Sequence, residues 1–496
     1  MRMLSTLFQT LIGGYVAPGD LPIIIIPLAV LVGGVWLRQM RETQPRRPDP
    51  VVDAICLAAS LAALSWFLRL GGISWDRFDF NKDGTYYWSL QEAVRRGRMP
   101  FYLSVQMQGT DRYWANPEAP LGPHSFLLGF MSVNAFYMLH VLLMFAIGYV
   151  ALVAWRREAG LSSFTFVTFV ALFLLNGHIT SHLSVGHTMW AGYFLLPWVF
   201  LTLTRAARGD PSMRNGATLA LALGGMIAIG AWHIFVWSFL FVVFFCATSW
   251  PGLRFLARVS IILAAVSAFR VLPALLTFNG GASHFLEGFN SPKLMFDALA
   301  FGGKERLATG QLDYWEYETY IGSVGFVLMC LGLWPTRERE SRYLNRFYLP
   351  IGVLTLLSAG RVYALTLFHL PGFSAERITT RMLVVPVLAL LWLGCVRVDQ
   401  VLTRHMHKRP AVAILALVGA CLLVGQLLRS ALWWRLPATA APVFAHSALI
   451  ERSPVDRLYW WSVWGGCAIS LSAIGALGKM LLAGRQTHRG CTRGRA

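Results

Sequence analysis

The sequence predicts an all-α polytopic membrane protein with about thirteen transmembrane helices, twelve to fourteen depending on how neighbouring runs are merged. Two observations carry the class. Hydrophobic residues make up 56% of the chain and charged residues 14%, against roughly a quarter charged in soluble domains. The apolar residues also come in runs, such as 21–37, 411–428 and 462–483, long enough at about 1.5 Å per helical residue to cross roughly 30 Å of hydrocarbon.

The placement of charge gives the orientation. The formal net charge of +19 sits in short connections: Arg38/Arg41/Arg46/Arg47, Arg156/Arg157, Arg205/Arg208/Arg214, Arg337/Arg339/Arg342/Arg346, Arg404/Lys408/Arg409 and Arg485/Arg489/Arg493/Arg495. This alternation follows the positive-inside rule and marks the cytoplasmic side. The intervening loops, including 178–190 with no Lys or Arg, face outward. Anionic lipid headgroups suffice as partner for this charge, and nucleic acid is not called for.

Taken in order, residues 3–13 place Leu4, Leu7, Phe8, Leu11 and Ile12 on one helical face. That segment is too short to span and suits the interface; a full span follows, so it is not read as a cleaved signal peptide. Spans are predicted at 21–37, 51–70, 134–155, 163–178, 190–204, 216–232, 234–250, 259–277, 318–334, 347–360, 381–398, 411–428 and 461–483, with the C-terminus inside. The long outward segments are 71–124, 278–317, 361–380 and 429–460, within one transmembrane domain spanning 1–496. Six of the seven cysteines fall in predicted spans and Cys491 in the cytoplasmic tail, which excludes a disulfide framework. No CxxC, HExxH or GxxxxGK[ST] string occurs, so nucleotide-driven transport and zinc hydrolysis lack their usual support.

The segment 71–124 is not a generic linker. From Asp83 onward, Tyr86, Tyr87, Leu90, Ala93 and Val94 share a helical face while Gln91, Glu92, Arg95 and Arg96 do not, and Gly97 is a natural stop. This predicts an amphipathic helix lying flat on the membrane. Asp83 fits either an N-cap or a catalytic carboxylate, and the two roles can coexist. The ten aromatics of 71–124 suit sugar stacking and an interfacial belt equally.

Asp83, Tyr87, Val94, Gly97 and Pro100, followed by a QxxGTxxYWxNPExPLxP segment, together resemble the first extracytoplasmic loop of GT-C glycosyltransferases. Three further stretches, NGHITSHLSVGHTMWAGYFLLPW, YETYIGSVGF and LPGFSAERITTRM, resemble the YfhO-like and related bacterial branch. The sequence departs from the pattern in three places. Asp83 is followed by Gly84 rather than a second acid, leaving Asp79 or Asp76 for that position; the prolines recur at 117, 120 and 123 instead of as an adjacent pair; and the span at 21–37 is extra.

The resemblance implies transfer of a sugar from a polyprenyl-phosphate donor to a glycan, lipid or protein acceptor, on the outer face of a bacterial-type cytoplasmic membrane. An acceptor hydroxyl attacks the anomeric carbon with a carboxylate as base, first Asp83, then Asp79 or Asp76. Arg377 and Arg381, four apart, are expected on one helical face where they can hold the donor phosphate, with Arg270 inside span 259–277 as a third candidate. Pro273 is expected to break that span and bring Arg270 to the interface. Snorkelling explains all three arginines equally.

His178, His182 and His187 gather at an outward junction, as ligands for a metal or the donor or as ordinary interfacial polar residues. Glu316 and Glu318, before Tyr320, suit an acceptor sugar, a cation or a solvated loop. No cofactor is assigned and a divalent cation stays open. The rival classes are a transporter or lipid flippase, which needs charges along a whole transmembrane path, and an acyltransferase or polymer ligase built around the histidines. No internal repeat or pair of broken helices in corresponding halves points to a transporter.

Overall fold

The computed structural model describes residues 50–70, 78–105, 109–277, 285–303, 307, 312–335, 339–370, 372–405, 419, 422–426 and 456–493. The interfacial segment 3–13, the predicted span 21–37, most of 411–428 and of 429–460, and Asp76 lie outside the described residues. Among the described residues the chain is helical apart from one antiparallel hairpin, Tyr102–Val105 with Gly109–Arg112, in register Tyr102 to Arg112. The hairpin adds extended backbone to the segment 71–124, beside its helix. Pro100 stops helical continuation, and the aromatic and β-branched residues at 101, 102 and 105 favour extended backbone.

Among the described residues five helices are long and apolar enough to cross a membrane: Pro50–Leu68, Val133–Ala159, Ser163–Ser184, Thr379–Gln400 and Arg457–Met480. The number rises to seven if each of two bent pairs counts as one span, Trp250–Val266 with Ala268–Thr277, bent by 81°, and Ser341–Leu357 with Gly360–Thr366, bent by 100°. Trp232–Cys246 and Gly322–Gly332 are shorter apolar helices. The predicted spans 190–204 and 216–232 appear as Leu196–Ala207 and Met213–Ala228, of 12 and 16 residues.

The helix starts are legible in the local sequence. Ser132, Ser162, Asn176, Ser212, Ser249 and Ser291 each accept a hydrogen bond from a first-turn amide, satisfying donors that the helix itself leaves open. The bend in the 250–277 region falls at Ser267, not at Pro273, which stays inside the helix Ala268–Thr277. At the bend the Phe269 amide donates to Ser470 Oγ at 3.0 Å, so a neighbouring helix satisfies it.

Helices such as Val133–Ala159 run between two ends. At one end Arg156 and Arg157 face Asp53, Arg205 pairs with Glu158 at 2.9 Å, Arg208 donates to the Tyr343 hydroxyl at 2.7 Å and Arg346 donates to Ser249 Oγ at 2.8 Å. Basic loops read separately from the sequence thus lie together. Between the ends, a core of Trp155, Trp237 and Trp392 is buried, with Trp155 and Trp392 stacked at 3.6 Å. The opposite end gathers the first outward segment, the histidines and the 376–381 stretch.

Candidate functional site

The helix Phe78–Arg95 anchors the site. Its inward residues Tyr86, Tyr87, Leu90 and Ala93 are buried, Arg95 and Arg96 are exposed, and Gly97 turns the chain at φ 62°, as the periodicity predicts. Gln91, expected on the polar face, is buried and donates to the carbonyls of Leu128 and Met131 at 3.1 and 2.8 Å. The N-cap role for Asp83 is corrected: the helix begins five residues earlier, at Phe78, so Asp83 lies within it.

Two consecutive residues of the following turn grip two carboxylates on this helix. Thr188 donates its amide and hydroxyl to Asp83 Oδ2 at 2.9 and 2.5 Å. His187 Nε2 lies 2.6 Å from Asp79 Oδ2. The turn comes this close because Gly186, at φ 91°, has no Cβ; one would lie 2.2 Å from the Phe80 nitrogen. The Asp79 amide also donates to the Val185 carbonyl at 3.0 Å.

The two carboxylates differ in environment. Asp83 is 2% exposed, and its Oδ1 meets no hydrogen-bond partner among the described residues. Burial pushes its carboxyl up to about 6, against the opposing pull of Lys82 and Thr188. The Asp79 side chain is 47% exposed. Burial works to raise it too, but the hydrogen bond and charge of His187, then Lys82 and Arg381, win and hold it at about 2.

Behind Asp79 the three histidines come together as expected. His187 Nδ1 and His182 Nδ1 are 2.6 Å apart, one donating to the other. The His182 ring stacks on His187 and Trp190, at 4.8 and 4.4 Å, and Trp190 Nε1 donates to His178 Nε2 at 3.0 Å. His182 is fully buried and its Nε2 has no hydrogen-bond partner among the described residues. Among those residues no group of three or more His, Cys, Asp or Glu is arranged to hold a metal ion.

A second chain of charges crosses the site. Lys82 Nζ meets Glu118 Oε2 at 2.5 Å; Glu118 Oε1 lies 3.3 Å from His233 Nε2; His233 Nδ1 lies 2.8 Å from Glu376 Oε1; and Trp237 Nε1 donates to Glu376 Oε2 at 2.9 Å. Carboxylate oxygens only accept, so a histidine between two of them carries protons on both nitrogens. Despite burial, Lys82 and His233 hold the Glu118 carboxyl well below its ordinary range. Burial lowers Lys82, but Glu118, Asp83, Tyr86 and Asp79 together outweigh it, and its ammonium form is favoured.

Arg270 is buried and donates to the carbonyls of Tyr113, at 3.0 Å, Asn116, and Ala119, at 2.7 Å. It shapes the loop that presents Glu118. Gly230, at φ 81°, lets the Glu118 carbonyl approach where a Cβ would lie 2.3 Å away.

The expected pairing of Arg377 with Arg381 on one helical face is corrected. Glu287 forms a parallel bridge with Ile378, and the Thr379 amide donates to the Glu287 carbonyl, so the backbone at Arg377 is tied to a neighbour before any helix begins. Arg377 is exposed, 4.7 Å from the Phe285 ring. Arg381 is buried, with Nε and Nη2 each 2.5 Å from a Glu316 oxygen and its guanidinium 5.0 Å from the Trp190 ring. Glu318 accepts the amides of Gly303 and Tyr320 at 2.8 and 3.1 Å, and buried Tyr320 accepts the Gly177 amide at 2.6 Å through its carbonyl.

The structure therefore brings Asp79, Asp83, the three histidines, Arg381 and Glu316 together. It leaves Arg377 at the surface and puts Arg270 and Glu318 to work on backbone groups. Sequence reasoning missed Lys82, Glu118, His233, Glu376, Trp190 and Trp237. Glu118, Glu376 and Trp190 stand inside quoted segments and Lys82 directly precedes Asp83, but nothing in their spacing said that they would pair.

The fold and site define a helical protein with several helices of membrane-crossing length and a charged cluster at one end. No protein-family model matches the chain, and no curated protein matches it.

Proposed function

We propose that this chain is an integral membrane glycosyltransferase of GT-C type, with about thirteen spans, moving a sugar from a polyprenyl-phosphate donor to an acceptor hydroxyl on the extracytoplasmic face of a bacterial-type cytoplasmic membrane. The observation that carries the reading is the meeting, at the end away from the basic loops, of a half-exposed carboxylate fixed by a histidine with a buried guanidinium on an aromatic ring. Transfer from a lipid phosphate asks for those two parts. A carboxylate accepts the hydroxyl proton, and a cation holds the charge that develops on the departing phosphate.

In this reading Asp79 is the base, because solvent and acceptor reach it, while Asp83 is closed off at 2% exposure. Asp83 is then a positioning residue: by gripping Thr188 it holds the adjacent His187 on Asp79. Arg381 faces the phosphate, with Glu316 fixing the plane of its guanidinium. Arg270 drops out of the phosphate set because it already serves the 113–119 loop.

The test is sugar transfer from a polyprenyl-phosphate donor by purified protein and its Asp79→Asn and Asp83→Asn variants. Asp79→Asn is expected to lose about 10² to 10⁴-fold, the usual contribution of a general base, and Asp83→Asn much less. The reverse ranking returns the base to Asp83. No transfer by the unaltered protein from any such donor sinks the reading.

A further inference from the structure

The far end of the helix Phe78–Arg95 carries a patch that the carboxylate site does not use. Arg95, Arg96 and Arg98 are all exposed there. Gly97, at φ 62°, turns the chain, and the Arg98 amide donates to the Ala93 carbonyl at 2.8 Å, so Arg98 stays beside the helix end. Gln91 ties this part of the helix to the Leu128 and Met131 carbonyls at 3.1 and 2.8 Å. Gly129 packs on Val94, where a Cβ would lie 3.1 Å from Cγ1. Arg95 follows Gln91 by about one helical turn and shares its face, beside the short helix Pro123–Gly129. That neighbour exposes Phe126, and Phe130 follows it, by 58% and 84%. Phe130 stands just before Ser132, the cap of Val133–Ala159, which is long and apolar enough to cross a membrane. The same helix carries Arg156 and Arg157 to the opposite end.

We propose that this patch holds an anionic phospholipid: Phe126 and Phe130 enter the acyl chains where the span leaves the hydrocarbon, and Arg95, Arg96 and Arg98 meet the headgroup phosphate. The contact seats the helix that carries Asp79 and Asp83 on the membrane surface, whatever reaction those carboxylates serve. Two kinds of surface side by side select this partner. Phenylalanines exposed this far are stabilised by acyl chains, and guanidinium forks match phosphate oxygens. Arg96 keeps 51% of its side chain exposed even in contact with Glu92 at 2.5 Å, so the acid on the same helix does not cover it. A zwitterionic headgroup brings its own cation against the arginines, and an anionic one does not.

The experiment places the photo-crosslinker p-benzoylphenylalanine at position 130 of the full-length protein, in nanodiscs of equal parts phosphatidylglycerol and phosphatidylcholine. Phe130 is 84% exposed, so the larger side chain displaces no packing. Mass spectrometry of the crosslinked lipid then reads the ratio of the two headgroups at the patch. A basic side chain near an anionic headgroup gives roughly a fivefold preference, and with Glu92 opposing, the three arginines should enrich phosphatidylglycerol about tenfold over the bulk. Arg95→Gln, Arg96→Gln and Arg98→Gln combined should return the ratio to the bulk value, since Gln keeps helix propensity and removes the charge. Crosslinked lipid at the bulk ratio in the protein with its arginines intact overturns the headgroup site, as does enrichment that persists in the Gln variant. Crosslinking to no lipid at all overturns the placing of the phenylalanines in the membrane.

Discussion

Asp83→Asn separates a buried, partly unpartnered carboxylate from an ordinary one by its effect on stability against pH. Asp83 is 2% exposed and pushed from 3.8 up to about 6 in the folded protein. An acid raised on folding favours the protonated folded state. Between about pH 6 and pH 4 the folded chain carries a proton at this position that the unfolded chain has released, so stability rises as pH falls through that window. At 1.36 kcal/mol per pH unit, the gain is about 3 kcal/mol by pH 4. Asp79, held low, works in the opposite sense only below about pH 4. The Asn variant has no proton to take up, yet its amide oxygen can still accept from Thr188. For a chain of this length about 3 kcal/mol corresponds to roughly 3 °C in Tm. Thermal unfolding in one detergent, scanned at about pH 4, 5, 6 and 7, should show wild type gaining that much over Asp83→Asn on acidification. Parallel Tm curves for the two proteins would refute the argument that burial without a full set of partners sets this group's charge.

Arg381→Lys is expected to weaken polyprenyl-phosphate binding about tenfold or more, because the planar fork that Glu316 fixes is lost, whereas Arg377→Lys, at an exposed position, should change binding less than threefold. Lipid retention measures both, and equal effects would remove the distinction drawn between the two arginines. Lys293→Cys, at a side chain 84% exposed on the site end, should react with an impermeant thiol reagent in intact cells, and Arg254→Cys, exposed at the basic-loop end, should not; the opposite pattern inverts the proposed orientation. Gly186→Ala forces a left-handed residue and a contact with the Phe80 backbone, with an expected loss of about 2 kcal/mol or more. A Tm equal to wild type for that variant would show that the turn can relax without cost.

What could be read without the fold was what depends on near neighbours in the chain. Hydropathy over twenty-residue windows found the helices of membrane-crossing length, and positive charge in short loops sorted them into two ends that the contacts of Arg208 and Arg346 bring together. Periodicity from Asp83 onward placed Tyr86, Tyr87, Leu90 and Ala93 on one face of a helix and stopped it at Gly97. The histidines met because 178, 182 and 187 are joined by a single turn and so cannot be far apart. Local pattern also misled. Asp83 looked like a cap because the apolar stripe seemed to begin there, and Arg377 with Arg381 looked helical because four residues separated them.

Pairings over long separations were invisible in the sequence. Thr188 binds Asp83 across 105 positions, and His233 joins Glu118 and Glu376 across 115 and 143. Nothing local marks such partners, because the free energy of a buried charge depends on what the rest of the chain brings to it. The sequence by itself determined the helical, membrane-type character of the chain, the two-ended distribution of its charge and the list of candidate groups, since each follows from the chemistry of a short segment. Only the tertiary structure decided which carboxylate is buried and which is open, and which arginine is held beside them, because those differences arise from the packing of helices far apart in the chain.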